Sequence, residues 1–356
     1  MGLTEGSMTT AVGRQLPSPL RCSLSPVLDP EVTVIVPTYN SAATIRECLD
    51  SIFSQIGEAK TEVIVVDGRS QDGTVDIARN YPARILFGGK PPGEKRNIGA
   101  RNAQGEILAF IDSDCRADPR WLSRIVSCLE ERPDIAGVGG PNLTPPDDPF
   151  PAKIFGLLME SFLGSAGVRN TVVYRKGRYI EHNPPCDAAY RRDIFLRVGG
   201  FDESMLVGED VVLDARINAI GLRLWYDPDM IVWHRRRRTL RAFLTQMVRY
   251  GRGRATVFKL HPRTAPVSYF CAAALVVGTI LTLPIWVLLP VLRLPAVVGW
   301  SGYGALVSLG TLTITAKNRN PMLLLLLPPL AVLHHLSLGL GFLVGLARSE
   351  HRPEQP

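Results

Sequence analysis

GEILAFIDSDC, residues 105–115, is an apolar run that stops abruptly at Asp112-Ser113-Asp114. Residues 106–112 are built like a buried strand. If the strand period of two continues to its end, Asp112 and Asp114 point to one side and Ser113 to the other. Neighbouring carboxylates repel each other and lose hydration when partly buried. They are tolerable where a dication sits between them and something negative.

The same pattern extends outward in both directions. VTVIVP (32–37) reads as a strand, and Ala42, Ile45, Leu49, Ile52 and Phe53 then mark a helix with Ser41 as its N-cap. EVIVVD (62–67) is followed by a short helix from Thr74, and RILFG (84–88) by a helix from Glu94 to Ala103. After the quoted stretch, Asp118 takes the N-cap place of a further helix with Pro119 at N1. Strand and helix in alternation predict an α/β domain with a mainly parallel sheet covered on both faces. Ligands of such sheets bind at the carboxyl ends of the strands, where Asp67, Asp112 and Asp114 fall. The first strand-to-helix turn, PTYNSA, has no G-x-G-x-x-G, and the chain has no G-x-x-x-x-G-K-[ST]. Dinucleotide oxidoreductases and P-loop NTPases are thereby disfavoured, leaving carboxylates and a metal to hold any diphosphate.

Charge is unevenly spread. The net charge is +7, yet residues 230–263 carry ten Lys or Arg and no acid, so the remainder is net acidic. A nucleic-acid binder would spread cations and stacking aromatics over its folded domain, so nucleic acid is not an expected partner. The six cysteines lie far apart without a Cys-x-x-Cys pair, which suits a reducing compartment. Residues 1–30, rich in Pro, Ser and Thr, are expected to be a flexible cytoplasmic lead-in.

No charge interrupts Thr264 to Leu292, Leu294 to Ala316 or Asn320 to Ala347. Each stretch exceeds the roughly 20 residues a helix needs to cross a bilayer. The reading is about three transmembrane helices over residues 264–347, with the Arg-rich flank and Lys317/Arg319 on the cytoplasmic side of the inner membrane. Three crossings leave Arg348 and Arg352 outside, against that rule, so a hairpin plus a re-entrant or surface-lying segment stays open. Just upstream, within the basic region 235–263, Leu240, Phe243, Leu244, Met247 and Val248 form one helical stripe. Arg241, Thr245, Arg249 and Arg252 take the other face, as in a helix lying on anionic lipids or one packed on the soluble domain.

These segments together resemble the inverting family-2 nucleotide-sugar glycosyltransferases, which have a GT-A fold. The resemblance rests on VTVIVPTYNSAATIRECLDSIFSQ, EVIVVDGRSQDGT, KRNIGARNAQGEILAFIDSDC, RRDIFLRVGGFDESMLVGEDVVLDARINAIG and QMVRYGRGR, which cover most of residues 31–254 in the family's order. With GGPNLTPPDDPF and the C-terminal spans, the chain looks most like membrane glucosyltransferases of succinoglycan-type exopolysaccharide assembly. The implied catalytic domain is 31–234, with a tail at 348–356. The implied reaction moves a hexose such as glucose from a UDP-sugar to a polyprenyl-linked saccharide, with Mg²⁺ or Mn²⁺.

The likeness also implies roles. Pro37, Thr38, Tyr39 and Asp67 would hold the uracil and ribose; Gly68-Arg69 stand where the family has a second acid. Lys95 and Arg96 would approach the diphosphate. Asp112, Ser113 and Asp114 form the D-x-D element, with Asp114 and Asp112 as metal ligands and His234 as a further one. Glu209-Asp210 would be the catalytic pair, Asp210 acting as general base on the acceptor hydroxyl. RYIEHNPPCDAAYRRD, residues 178–193, would approach the acceptor, with Asp187, Arg191 and Arg192 as candidate contacts for a lipid diphosphate or sugar hydroxyls. Gln246, Arg249 and Tyr250 match a Q-x-x-R-W element with Tyr for Trp, which suits addition of a single sugar. Two rival readings stand beside this one: a polyprenyl-phosphate sugar synthase, whose phosphate acceptor needs no base, and a non-catalytic membrane assembly subunit that retains the fold.

Overall fold

The computed structural model describes residues 31–57, 60–165, 174–262 and 267–348. The expected lead-in at 1–30 and most of the expected tail lie outside the described residues. The chain opens with β1 (Val32–Thr38), α1 (Ile45–Phe53), β2 (Thr61–Asp67), α2 (Thr74–Ala78), β3 (Arg84–Phe87), α3 (Pro92–Asn102) and β4 (Ile107–Ile111). It continues with β5 (Cys115–Ala117), α4 (Trp121–Glu131), β6 (Ile135–Gly139), β7 (Asn142–Leu143), α5 (Phe150–Met159) and α6 (Phe162–Ser165). Then come β8 (Arg178–Ile180), β9 (Asp187–Arg191), α7 (Arg192–Arg197), α8 (Glu209–Ala219), β10 (Arg223–Tyr226) and β11 (Val232–His234).

Eight strands form one sheet in the order β3-β2-β1-β4-β9-β6-β10-β8. β1, β2, β3 and β4 run parallel, as do β6 and β10, while β9 runs antiparallel between β4 and β6. Side chains alternate as a doubly covered sheet requires. Val34, Val36 and Val65 pack with Leu49, Trp121 and Ile125 on one face; Ile35, Ile64 and Val66 pack with Ala100, Phe195 and Leu213 on the other. A small second sheet, β5-β11-β7, sets His234 opposite Cys115. The expected α/β architecture holds.

Two helix starts differ from expectation. α1 begins at Ile45, because Ser41 spends its carbonyl on the Thr44 and Ile45 amides in a preceding turn and donates its hydroxyl elsewhere. α4 begins at Trp121, because the Asp118 carboxylate accepts from the Arg120 amide at 3.1 Å and closes a tight turn first.

The C-terminal third contains α9 (Leu240–Leu260), α10 (Ser268–Leu288), a 3₁₀ turn (Pro290–Leu292), α11 (Arg293–Asn318) and α12 (Leu323–Ala347). Three helical stretches, 268–288, 290–318 and 323–347, are long and apolar enough to cross a membrane. They are not alike. Leu283, Leu288, Val291 and Leu294, around the α10–α11 tip, are all more than 70% exposed. In α12, Leu323, Leu327 and Ala331 are fully buried among Phe155, Leu158, Phe243 and Met247. Its other end is held by Lys259 Nζ, which donates to the carbonyls of Gly345 (2.7 Å) and Arg348 (2.5 Å). The stripe expected on α9 is therefore a packing face: Phe243 stacks on Phe155, and Met247 joins the same cluster. Arg241, Arg249 and Arg252 remain exposed on the opposite side.

α9 and α12 approach so closely that glycine is required between them. A methyl on Gly251 would strike the Leu338 carbonyl, and one on Gly341 would strike that of Val248. Overpacking of this kind costs about 1–3 kcal/mol. Gly341→Val is expected to lower the unfolding midpoint in detergent by several degrees, while Gly304→Val, where nothing lies within 4 Å, leaves it unchanged. Thermal scans of the two variants beside the parent check this.

Candidate active site

Beyond the carboxyl ends of β1 and β4 lies a cavity of about 720 Å³, bordered across from them by the start of α8 and by α9 and α10. Gly208, at φ 94°, takes the left-handed turn that launches α8 and sets Glu209 and Asp210 in its first turn. Acidic groups there face the positive end of the helix dipole.

Arg96 connects the two sides. Buried on α3, it donates to Asp112 Oδ1 at 2.6 Å and to Glu209 Oε1 at 2.9 Å. Burial and the neighbouring Asp210 push Glu209 up to about 7, with Arg96 pulling the other way. Asp210 Oδ2 stands 3.5 Å from Nε2 of His182. Asp114 Oδ1 lies 3.3 Å from Nε2 of His234, whose Nδ1 meets Asn142 Nδ2 at 3.3 Å. Although burial opposes charge on both, the pair holds itself ionised: His234 draws Asp114 below the usual carboxylate range, and Asp114 raises His234.

The loop after β1 is stitched to the loop after β2. Thr38 Oγ1 donates to Asp67 Oδ2 at 2.7 Å, Ser70 donates its amide and hydroxyl to the same carboxylate, and the Asn40 amide donates to Ser70 Oγ at 2.8 Å. This leaves Tyr39 nearly half exposed at the cavity, with Lys95 Nζ 6.0 Å from its ring centre.

The model of glycosyl transferase family 2 matches residues 33–199. Glycosyltransferase AglE of Haloferax volcanii is 32% identical over 244 residues, covering 65% of this chain and 75% of its own. The chain belongs to glycosyl transferase family 2. Succinoglycan biosynthesis protein ExoA of Rhizobium meliloti is 26% identical over 308 residues, 81% of this chain and 87% of its own. Among solved structures, mannosyltransferase PcManGT of Pyrobaculum calidifontis, in complex with GDP-Man and Mn²⁺, superposes with a TM-score of 0.55 at 22% identity. That alignment covers 92% of this chain and 90% of PcManGT, and it confirms the GT-A fold.

Within this glycosyltransferase, the cavity is lined by Pro37, Thr38, Tyr39, Lys95, Arg96, Asp112, Ser113, Asp114, Glu209, Asp210, His234, Gln246, Arg249 and Tyr250. Other expected residues sit elsewhere. Asp67 is fully buried behind the loop with its oxygens engaged by Thr38 and Ser70, so it braces that loop and is not exposed to a base. Asp187 is fully buried and accepts from Trp121 Nε1 at 2.8 Å; burial raises its pKa well above the carboxylate range. Arg191 pairs with Ile107 at the opposite end of β4 and donates to the carbonyls of Ile135, Leu129 and Arg132. Arg192 follows it at the start of α7, also away from the cavity lining. Neither arginine can meet an acceptor there.

Asp112 Oδ1 is drawn to Arg96, and among the described residues Asp114, His234 and Cys115 have ligand atoms within 4.8 Å of one another, a group that could hold an ion. Ser113 turns instead to Ser41, at 2.8 Å between hydroxyls. Half of the Arg235–Arg238 run is structural: Arg235 pairs with Glu47, Asp147 and Asp148, and Arg236 with Glu160. Arg237 and Arg238 line the cavity, as do Lys90, Arg254 and His182, none of which was singled out from the sequence. His182 lies in a loop with no periodicity to mark it. Asp214, four residues after Asp210 and so on the same helical face, carried a readable signal.

Removing Arg96 would leave Glu209 and Asp112 uncompensated. Breaking a buried pair in this way costs about 3 kcal/mol. Arg96→Met is expected to lose about that much stability, with Glu209→Gln in the same chain restoring part of it. Denaturant unfolding of the single and double variants tests the coupling.

Proposed function

We propose that the chain is an inverting hexosyltransferase that moves a sugar from UDP to a hydroxyl of a polyprenyl-linked saccharide at a membrane surface. The observation carrying this reading is that Asp210 and Glu209 face Asp112 and Asp114 across one cavity, with α9 and the start of α10 forming its membrane-side wall. Thr38, Tyr39 and Lys95 would take the nucleotide, and the cationic groups of α9, Arg249 and Arg254, the acceptor diphosphate. Val207, Val257 and Tyr269 give that end of the cavity an apolar wall suited to a lipid.

Asp114 offers a carboxylate oxygen and His234, on giving up its proton to an incoming ion, an imidazole nitrogen, a donor pair that Mn²⁺ accepts. A divalent ion bound there would supply charge neutralisation for the departing diphosphate. The chain's own part is to hold the acceptor hydroxyl against Asp210, which removes its proton as the oxygen attacks the anomeric carbon opposite the leaving UDP. A phosphate acceptor would need no such base, and a non-catalytic subunit would need no base at all.

Base catalysis contributes about 10²- to 10⁴-fold. Asp210→Asn is expected to lower transfer from radiolabelled UDP-sugars to lipid-linked saccharides by that factor while UDP binding survives. Equal labelling by variant and parent removes the reading.

The membrane arrangement belongs to the same proposal: α10 and α11 cross as a hairpin, and α12 lies in the interface. A crossing helix has ends about 30 Å apart on opposite faces. α12 instead packs against helices joined to the catalytic domain, with Phe243 stacked on His334 midway along it and Lys259 holding its C-terminal end. Arg348 then shares the catalytic domain's cytoplasmic side, in line with the positive-inside rule. A C-terminal fluorescent-protein fusion should glow and a C-terminal alkaline phosphatase fusion should be inactive; the reverse pair of results means three crossings.

A further inference from the structure

Asp214 follows Asp210 by one helical turn on α8 and is fully buried. It receives the Tyr190 hydroxyl at 2.8 Å, the Asn183 amide at 2.7 Å and Nδ1 of His182 at 2.9 Å. The peptide N–H can only donate, so Asp214 is presented as an acceptor and draws the imidazole proton to Nδ1. Nε2 is then the atom that gains and loses a proton, and it faces Asp210 Oδ2 at 3.5 Å. A buried carboxylate that fixes one imidazole nitrogen so that the other can work is the arrangement that sets tautomer and orientation in acid–base sites.

We propose that His182, oriented by Asp214, is a positioning and relay residue that takes from Asp210 the proton abstracted from the acceptor. The inference rests on the proposed hydroxyl-acceptor reaction. The acceptor O–H bond breaks and its oxygen bonds to the anomeric carbon. The bond from that carbon to the UDP oxygen breaks, and its electron pair leaves with UDP. The proton on Asp210 passes to His182 Nε2, leaving Asp210 ionised beside an imidazolium, and is released to water through the cavity that His182 lines.

Charge favours this destination. Among the described residues, Asp214, Glu209 and Tyr190 lie around the pair, with Arg96 holding Asp112 and Glu209. Arg96 is shared by two carboxylates, and a positive charge on His182 answers Asp210 and Asp214.

The test uses the full-length protein in membranes, reading kcat, KM for the UDP-sugar and UDP binding in Asp210→Asn, His182→Gln and Glu209→Gln. The parent should show an acid limb in kcat at or above the ordinary imidazole value of about 6.5, since Asp210 and Asp214 favour the imidazolium. His182→Gln should lower kcat at least tenfold, leave KM and UDP binding within about twofold, and move that limb toward the carboxylate range. A parent limb found only below about pH 5, or one that persists in His182→Gln and is lost in Glu209→Gln, overturns the relay. Should His182→Gln lose UDP binding, His182→Gly is assayed with and without added imidazole, and failure of imidazole to restore kcat overturns it too. Full activity of Asp210→Asn would sink the underlying reaction; loss of activity there with a fully active His182→Gln would sink the relay alone.

Discussion

The guanidinium of Arg96 is the constraint on which the site depends. It joins Asp112, at the end of a central strand, to Glu209, which lies 113 residues after Arg96 at the start of α8. Without a cation between them, these carboxylates and Asp210 would repel one another at the place where the fold crowds them. Arginine suits the task because its planar fork offers separate nitrogens to two acids, whereas a lysine ammonium is a single point of charge. The position of Asp210 relative to Asp114 is thus set by an ion pair that takes no part in the proposed chemistry.

This division of labour recurs in the basic run. All four of Arg235, Arg236, Arg237 and Arg238 border the cavity, yet the first two also tie the small sheet to Glu47, Asp148 and Glu160. A charge run looks uniform in sequence. In the fold the first two members have acidic partners that hold the domain together, although all four border the same cavity.

What the sequence made legible follows from periodicity. Alternating apolar residues placed the strands, and the strand ends placed Asp112 and Asp114 together, while Asp210 was added by the family resemblance. What it left obscure was the choice of hydrogen-bond partner. Asp67 and Asp187 also sit at the cavity end of the sheet, but each found donors inside the protein: Thr38 and Ser70 for one, Trp121 for the other. Arg191 was misplaced for a topological reason, since antiparallel β9 carries it to the far end of the sheet. His182 was missed because a histidine in an irregular loop gains meaning only from Asp214 and Asp210, which belong to a helix some thirty residues on.

The two faces of α9 connect this site to the apolar C-terminal helices. Gln246, Arg249, Tyr250 and Gly253 recur at helical spacing and line the cavity, whereas Phe243, Met247 and Gly251 recur on the face that meets α5 and α12. One rigid helix thereby fixes the distance between reacting groups and the apolar layer. Glycine at 251 and 341 makes that distance short, because any side chain there would hold α12 off. A lipid-linked acceptor has a saccharide of limited reach beyond its diphosphate, so on the proposed reading the cavity must sit at a set height above the interface. Close packing of α9 on α12 meets that requirement more firmly than a flexible linker to the membrane helices would.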